Sequence, residues 1–179
     1  LSGGRYEEIP LDEDFKFEKL KAKIDELEPK LIFLCSPNNP TGEIIERELI
    51  LKLADYFVGP VIVDEAYADF NEIDLMPDVK DYSNLAVTRT FSKAFGLAGI
   101  RFGYLYGNRP LVEELKKVLK PYNLNSLTDI LACLILANDD IIKERIEFIK
   151  KERQKLYQKL NQYQKWQLYP SMANFIYLE

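Results

Sequence analysis

Residues 61–67 read Val61-Ile62-Val63-Asp64-Glu65-Ala66-Tyr67, an unbroken apolar run that ends on charged and aromatic residues. Two other stretches have the same form, Leu31-Ile32-Phe33-Leu34-Cys35 and Leu85-Ala86-Val87-Thr88-Arg89-Thr90. Short apolar runs bounded by turn residues are typical of strands buried on both faces of a parallel sheet. These runs therefore predict three buried strands, and Phe102-Gly103-Tyr104-Leu105-Tyr106-Gly107 predicts a fourth.

Segments in which apolar residues recur at helical spacing lie between and after these strands. They cover residues 15–28, 46–57, 110–120 and 126–137. Strands that alternate with helices predict an α/β fold with a largely parallel sheet. We expect residues 1–14 to form a strand and a loop with an acidic turn, Asp12-Glu13-Asp14, and residues 166–179 to form two strand segments around Pro170-Ser171.

A long amphipathic helix is predicted by apolar positions from Ile142 to Leu160. Residues 143–165 contain eight basic and three acidic residues, a surplus that could serve an anion or a membrane surface. We favour a solvated helix face that links two domains, which is the usual role of such a charged stripe.

The composition is that of a folded protein and excludes several classes of function. Of 179 residues, 47% are hydrophobic and 30% are charged, and the formal net charge of -5 argues against a nucleic-acid binder. The chain has no histidine, which excludes Ser-His-Asp and Cys-His mechanisms and a His-ligated zinc site within it. Cys35 and Cys133 lie in apolar runs, so we predict two buried cysteines without a redox role.

No apolar run approaches the roughly 18 residues that a membrane span requires. The N-terminal residues Leu1-Ser2-Gly3-Gly4-Arg5 contain neither an initiator methionine nor a signal peptide. We therefore expect a soluble, cytoplasmic protein, and we expect this chain to be part of a longer gene product.

Polar residues follow three of the predicted strands. Asn39 lies in Ser36-Pro37-Asn38-Asn39-Pro40-Thr41-Gly42 after the first strand, Asp64 ends the second, and Thr90 ends the third. Ligands of parallel α/β sheets bind outside the carboxyl ends of the strands. We therefore expect these residues to meet at one edge of the sheet.

Each of these segments has a structural and a chemical interpretation. Residues 36–42 match a rigid surface turn, and Asp64 could cap a following helix. A carboxylate after a buried strand also needs a cationic partner, such as a protonated pyridine nitrogen, and Tyr67 could hydrogen-bond a phenolic oxygen.

Lys93 has the chemistry of an amine nucleophile, because a lysine at a strand end in an apolar setting can have a lowered pKa. Thr90, Ser92 and Arg101 around it offer donors that suit a phosphate group. A solvated basic loop is the structural alternative for this segment.

Asn39-Pro40-Thr41-Gly42, Asp64-Glu65-Ala66-Tyr67 and Ser92-Lys93 with Arg101 together resemble the fold-type I, class II pyridoxal-phosphate-dependent aminotransferases. The resemblance covers nearly the whole chain. Within that family, the segments most similar to the histidinol-phosphate aminotransferase branch are residues 36–42, 64–70, 91–101, 121–123 and 171–175.

The resemblance implies a fold-type I architecture and a set of site residues. Residues 1–138 would be the later part of the large cofactor-binding domain, and residues 139–179 the linking helix and the start of a small α+β domain. The implied cofactor-binding residues are Asn39, Asp64, Tyr67, Thr90, Ser92, Lys93 and Arg101. Lys93, Asp64 and Tyr67 are the implied catalytic residues, with Lys93 binding pyridoxal 5'-phosphate covalently and moving a proton.

The other roles follow from the same resemblance. Asp64 would pair with the pyridinium nitrogen, Asn39 and Tyr67 would hydrogen-bond the ring oxygen, and the remaining residues would hold the phosphate. No metal ion is implied.

The resemblance implies transfer of an amino group between L-histidinol phosphate and 2-oxoglutarate in histidine biosynthesis, by a homodimer. Three alternatives remain: an aminotransferase of aromatic amino acids, a threonine-phosphate decarboxylase, and a catalytically silent binding protein of the same fold. The family's N-terminal segment, its earlier phosphate loop and its substrate-binding arginine do not match any part of this chain. We therefore expect the 179-residue chain alone to be inactive.

Overall fold

A four-stranded sheet forms the centre of the computed structural model, which describes residues 3–11, 15–163 and 165–179. The strands, in spatial order, are β1 (Ile32–Cys35), β2 (Val61–Asp64), β3 (Leu85–Thr90) and β4 (Gly103–Gly107). β1, β2 and β3 are parallel, and β4 is antiparallel to β3. The predicted α/β fold with a largely parallel sheet is confirmed, and its fourth strand reverses direction.

Six α-helices accompany the sheet in the described residues. They are α1 (Phe17–Leu27), α2 (Arg47–Tyr56), α3 (Met76–Val79), α4 (Arg109–Lys116), α5 (Ser126–Leu136) and α6 (Asp139–Leu160). All except α3 were expected from apolar spacing, with ends that differ by a few residues. α3 and a 3₁₀ helix at Ala68–Phe70 are too short to produce a periodic pattern.

One face of the sheet carries the main core. Leu34, Val63 and Val87 are neighbours across β1, β2 and β3, and all three are buried. They pack in one cluster with Ile50 and Leu53 of α2 and with residues of α1 and α3. Because burial of one such side chain stabilises a fold by about 1.5–3 kcal/mol, this layer fixes the strands that carry the polar residues.

The opposite face of β1 is open. Side chains alternate between faces along a strand, so Phe33 and Cys35 lie opposite Leu34. Phe33 is 56% exposed and Cys35 is also exposed, so the prediction of a strand buried on both faces is wrong for β1. The reason is that residues of α1 and α2 pack on the Leu34 face of β1, and the described residues leave the Phe33 face uncovered.

The prediction that both cysteines are buried is also wrong. Cys133 lies on an outward face of α5 beside Leu134, which is exposed as well. An apolar run therefore did not identify which face of either element would be covered.

The two ends of the chain contain less regular structure than expected. Residues 3–11 form neither helix nor strand, so the expected N-terminal strand is wrong there, and Leu1, Ser2 and the acidic turn at 12–14 lie outside the described residues. Within 165–179, a single antiparallel bridge between Leu168 and Leu178 replaces the two expected strands. Among the helices of the described ranges, none has the length and apolar character that a membrane crossing needs.

Candidate active site

Asp64 lies in a row of polar side chains at the carboxyl end of the sheet. It pairs in register with Cys35 of β1 and Thr88 of β3. Its Oδ1 accepts hydrogen bonds from the Ala66 N–H at 3.0 Å and from Thr88 Oγ1 at 3.4 Å. The 3₁₀ helix that follows begins at Ala68, and its N-cap residue is Tyr67 with no side-chain cap, so the helix-capping interpretation of Asp64 is wrong.

Thr88 is a site residue that sequence reasoning missed. It contacts Asp64 directly and lies two positions before Thr90 in β3, so both threonines are on the same face of the strand. The period-two pattern of β3 was the signal that could have identified it.

Asn39 and Tyr67 meet although 28 positions separate them. Asn39 Nδ2 donates to Tyr67 Oη at 2.8 Å. Tyr67 is 7% exposed, and its ring packs edge-to-face on Phe175 with centroids 5.2 Å apart. Because the Tyr67 oxygen accepts this bond, its own O–H remains able to donate to a third group.

The loop that carries Asn39 is held at several backbone positions. Ser36 Oγ accepts from the Ile45 N–H at 2.9 Å, and the Gly42 N–H donates to the Asn38 carbonyl at 2.8 Å. The Met172 N–H donates to the Gly42 carbonyl at 2.7 Å, which joins this loop to the C-terminal segment. Residues 36–42 are thus a rigid turn, as one interpretation expected, and this turn presents Asn39 to Tyr67.

Lys93 completes a group of three contacting side chains. It follows β3 by three residues, and its Nζ lies over the Tyr67 ring, 4.8 Å from the centroid. An ammonium group in this position is attracted to the ring face. The structure therefore brings Asn39, Tyr67 and Lys93 together, as the sequence order predicts.

Thr90 and Ser92 are also close, whereas Arg101 stands apart from them. The Ser92 N–H donates to Thr90 Oγ1 at 3.1 Å, and Thr90 Oγ1 donates to the carbonyl of Phe102 at 3.3 Å. Arg101 is exposed, and its Nη1 donates to the Ala98 carbonyl at 3.3 Å. Within the described residues, no hydrogen bond joins Arg101 to either hydroxyl.

Glu65 and Arg89 form a buried ion pair behind this site, which sequence reasoning also missed. Arg89 donates from Nε and Nη2 to Glu65 Oε2 at 2.9 Å and 2.7 Å. Glu65 Oε1 accepts from the Leu75 N–H at 3.1 Å. Burial raises the pKa of the Glu65 carboxyl, and the charge of Arg89 offsets part of that rise. The sequence contained a signal for this pair, because Glu65 and Arg89 are opposite charges that each follow the buried positions of neighbouring strands.

The donor set at this edge is chemically specific. It contains a carboxylate at Asp64, an amide–phenol pair at Asn39 and Tyr67, an amine at Lys93, and a hydroxyl pair before it. A ligand that fits has a cationic group, an oxygen that accepts hydrogen bonds, a carbon that reacts with an amine, and an anionic group.

Comparison with known proteins identifies the family of this chain. The sequence model of the family described as aminotransferase class I and II matches residues 1–179. The chain belongs to the class I and II aminotransferases. A histidinol-phosphate aminotransferase of Caldanaerobacter subterraneus subsp. tengcongensis is 42% identical to this aminotransferase over 178 residues, covering 98% of this chain and 50% of the relative.

Solved structures of the family share the fold of this aminotransferase. The histidinol-phosphate aminotransferase of Sinorhizobium meliloti, in complex with pyridoxal-5'-phosphate, matches with a TM-score of 0.88 and 27% identity over 98% of this chain and 49% of that one. A decarboxylase from Sulfurospirillum multivorans matches with a TM-score of 0.84 and 27% identity over 96% and 52%. The predicted fold-type I architecture is confirmed. This aminotransferase chain spans about half the length of the curated relatives that it matches.

Proposed function

We propose that this protein transfers an amino group between L-histidinol phosphate and 2-oxoglutarate in histidine biosynthesis, with pyridoxal 5'-phosphate as its cofactor. The observation that carries the proposal is the contact of Asn39, Tyr67 and Lys93 beside Asp64. Curated histidinol-phosphate aminotransferases that are 38–44% identical to this chain support the substrate. Because the chain spans half of those relatives, the proposal concerns the complete gene product.

The residues present fit this cofactor group by group. Asp64 supplies the negative charge that a protonated ring nitrogen needs, and Thr88 and the Ala66 N–H hold its carboxylate in place. Asn39 and Tyr67 supply a donor pair for the ring oxygen. For the phosphate, the Ser92 hydroxyl and the remaining N–H groups of Arg101 supply donors; the Thr90 hydroxyl donates to the Phe102 carbonyl in this structure and would have to turn to reach the phosphate.

When bound, pyridoxal phosphate supplies the electron sink that stabilises negative charge at the substrate's α-carbon. Lys93 Nζ would hold the cofactor covalently, and as a free amine, after the substrate's amino group has taken its place, it would accept the proton from that carbon. Tyr67 lies under the Lys93 ammonium group, and Asn39 fixes the Tyr67 hydroxyl, so both residues orient the amine. Proton transfer in this site therefore requires no histidine.

The proposal includes the partners, the domains and the compartment. The substrates are small molecules, the enzyme is a homodimer in the cytoplasm, and it acts without nucleic acid or membrane. Residues 1–138 belong to the large domain, and residues 139–179 contain the linking helix and the start of the small domain. The similarity to the solved L-threonine-O-3-phosphate decarboxylase from Porphyromonas gingivalis supports one second candidate, decarboxylation of an amino-acid phosphate on the same site.

Cofactor binding is tested on the chain itself. We expect added pyridoxal phosphate to produce an absorbance band that sodium borohydride abolishes, with the reduced cofactor then attached to the peptide that contains Lys93. Lys93→Ala should lack the band, and Lys117→Ala, a change at an exposed lysine paired with Glu114, should retain it. A band that survives in Lys93→Ala would refute the assignment of Lys93.

The substrate is tested on the complete gene product. We expect turnover of L-histidinol phosphate with 2-oxoglutarate to exceed that of aromatic amino acids, and we expect no carbon dioxide from threonine phosphate. Faster turnover of an aromatic amino acid, or release of carbon dioxide, would refute the proposed substrate while leaving cofactor binding intact. The 179-residue chain alone should be inactive, and measurable transamination by it would refute that expectation.

A further inference from the structure

Arg153 lies on α6, far along the sequence from the candidate active site, yet it contacts two segments that support Tyr67. Its Nη1 donates to the carbonyl oxygen of Phe70 at 3.4 Å and also to the carbonyl oxygen of Ala173. Phe70 ends the 3₁₀ helix that directly follows Tyr67, and Ala173 lies two residues before Phe175. One guanidinium group therefore joins the Tyr67 loop to the C-terminal segment.

The charge of Arg153 has no carboxylate partner in the described part of the chain. Neighbouring lysines of α6 differ, because Lys150 pairs with Glu147 and Lys155 pairs with Glu152. Arg153 is half-buried, and burial lowers its pKa from the ordinary value. A half-buried cation held only by carbonyl oxygens costs desolvation energy, so the two hydrogen bonds are the interactions that compensate for it at this position.

The surroundings of Arg153 connect α6 to the candidate active site. A small core cluster contains Tyr67, Phe70, Ala94 and Ala173, and the partly buried residues packed on it include Ile146 and Ile149 of α6. Ala94 directly follows Lys93. Arg153 lies one helical turn beyond Ile149, so it supplies the polar end of the α6 face that packs against both loops.

A second arginine of α6 approaches the loop that follows Lys93. A Cβ added to Gly96, whose φ is 68°, would lie 2.8 Å from Arg145 Nη1. The positive φ favours glycine at this position, and the tip of the Arg145 side chain would have to shift to admit a Cβ. α6 is thus close to the Lys93 loop as well as to the Tyr67 loop.

The Tyr67 ring is held on three sides. Asn39 binds its hydroxyl, Phe175 packs against its edge, and the Lys93 ammonium group lies over its face. One of these supports, Phe175, lies in the segment that Arg153 holds through the Ala173 carbonyl, and the bond to the Phe70 carbonyl joins Arg153 to the loop that carries Tyr67 itself.

We infer that Arg153 is a positioning residue that fixes Tyr67 beneath the Lys93 amine by joining the carbonyls of Phe70 and Ala173. Arg153 acts through Tyr67 and does not itself touch the reacting atoms. The catalytic consequence of Arg153 rests on the proposed function. The placement of Tyr67 by Arg153 rests on the geometry alone.

Arg153→Met tests the placement of Tyr67 without cofactor. Tetranitromethane nitrates accessible tyrosines, and peptide mass spectrometry measures each one separately. We expect Tyr67 to be nitrated several-fold faster in Arg153→Met than in the parent chain, relative to Tyr122, which is 99% exposed. Tyr82, which packs against the main core, should keep its rate. Equal acceleration of Tyr67 and Tyr82 would indicate general loosening and would overturn the inference.

Arg153→Lys and Lys155→Met provide the comparison variants. A lysine keeps the charge and can donate to both carbonyls, so Arg153→Lys should fold and should restore most of the Tyr67 protection. Lys155→Met removes an exposed cation of the same helix and should leave Tyr67 protected. Failure of Arg153→Lys to protect Tyr67 better than Arg153→Met would contradict a role for the two hydrogen bonds.

The catalytic consequence is measured on the complete gene product loaded with pyridoxal phosphate. In Arg153→Met, we expect the pH midpoint of the borohydride-sensitive absorbance band to shift by about half a unit or more. We also expect kcat to fall about 10-fold with KM nearly unchanged, because a misplaced orienting group lowers the rate of the chemical step more than it lowers substrate affinity. An unchanged midpoint and kcat in folded Arg153→Met would overturn the inference. A parent protein without the band would instead refute the proposed function, and the nitration result would still decide the placement of Tyr67.

Discussion

Replacement of Arg89 by methionine measures the contribution of the buried pair with Glu65 to the stability of the sheet. The Arg89 guanidinium donates twice to Glu65 Oε2 and once to Asp74 Oδ1. Methionine fills most of the space of the arginine stem but supplies no charge or donor. Glu65 would then retain one partner among the described residues, the Leu75 N–H.

The expected loss follows from the burial of the two charges. Glu65 is 2% exposed and Arg89 is 13% exposed, so the remaining carboxylate cannot be hydrated without opening the fold. Removal of one partner from a buried pair destabilises proteins by about 3–5 kcal/mol. We expect about 3 kcal/mol at pH 7, the lower end of this range, because the Leu75 N–H remains and the carboxyl can take up a proton.

The same reasoning gives the pH dependence of the loss. Burial already raises the pKa of Glu65 above its ordinary value of 4.5, and removal of Arg89 raises it further. A carboxyl with a raised folded-state pKa binds its proton more tightly in the folded protein than in the unfolded one. The stability deficit of Arg89→Met should therefore be small near pH 4.5 and should grow as the pH rises through the folded-state pKa.

Urea unfolding followed by circular dichroism measures these free energies. Lys117→Met is the control, because Lys117 and Glu114 form an exposed pair whose loss should cost under about 1 kcal/mol. The double variant Glu65→Gln with Arg89→Met should recover part of the loss. A loss in Arg89→Met no larger than in the control, or one that does not change with pH, would refute this reasoning.

Two further predictions concern a cysteine and a glycine near the candidate active site. Partial desolvation of the thiol by neighbouring residues and the charge of Asp64 raise the pKa of Cys35, which is otherwise exposed, so its alkylation by iodoacetamide should reach half its maximal rate above pH 9.0. Added pyridoxal phosphate should slow the alkylation of Cys35 but not that of Cys133, and equal protection of both thiols in peptide mass spectrometry would contradict the proposed site. Gly42→Ala should lower the free energy of unfolding by more than about 1 kcal/mol, because Gly42 has a φ of 79° and an added Cβ would lie 2.9 Å from the Ser171 Cα. In the control variant Gly99→Ala, the added Cβ meets no atom within 4 Å, so the free energy of unfolding should change by no more than about 0.5 kcal/mol in the same urea experiment.

The strands and longer helices were predictable because each has a periodic or continuous apolar pattern. The direction of β4 was not predicted, although the sequence contained a signal for it. Parallel neighbours need a long crossover, usually an α-helix, and the segment between Thr90 and Gly103 contains only a short 3₁₀ helix at Ala98–Ile100. An antiparallel return of the chain is the simpler arrangement for such a connection.

Exposure could not be predicted from apolar runs alone. Phe33 and Cys35 belong to the same run as Leu34, yet only Leu34 is buried, because helices cover one face of β1. A run without alternation gives no indication of which face is covered. The same ambiguity made the buried assignment of Cys133 wrong.

The order of the motifs predicted which strand ends would meet, but not which distant residues support them. Asn39, Tyr67 and Lys93 follow strands whose carboxyl ends share an edge, so their contact follows from topology. Phe175 packs on Tyr67, and Arg153 binds the loop that follows Tyr67, through tertiary packing of α6 and the C-terminal segment. No local pattern in the sequence specifies such contacts.

The alternation of side chains explains how the ends of two strands can serve structure and chemistry at once. Asp64 and Glu65 are adjacent in sequence but point to opposite faces, so Asp64 lies beside Thr88 while Glu65 binds Arg89. A slip of one residue in the pairing of β2 with β3 would move Glu65 to the face where Asp64 now lies, away from Arg89. Because such a slip would break the buried pair, the pair stabilises the register that presents Asp64. The stability of Glu65–Arg89 and the geometry of the candidate active site are therefore properties of the same strand pairing.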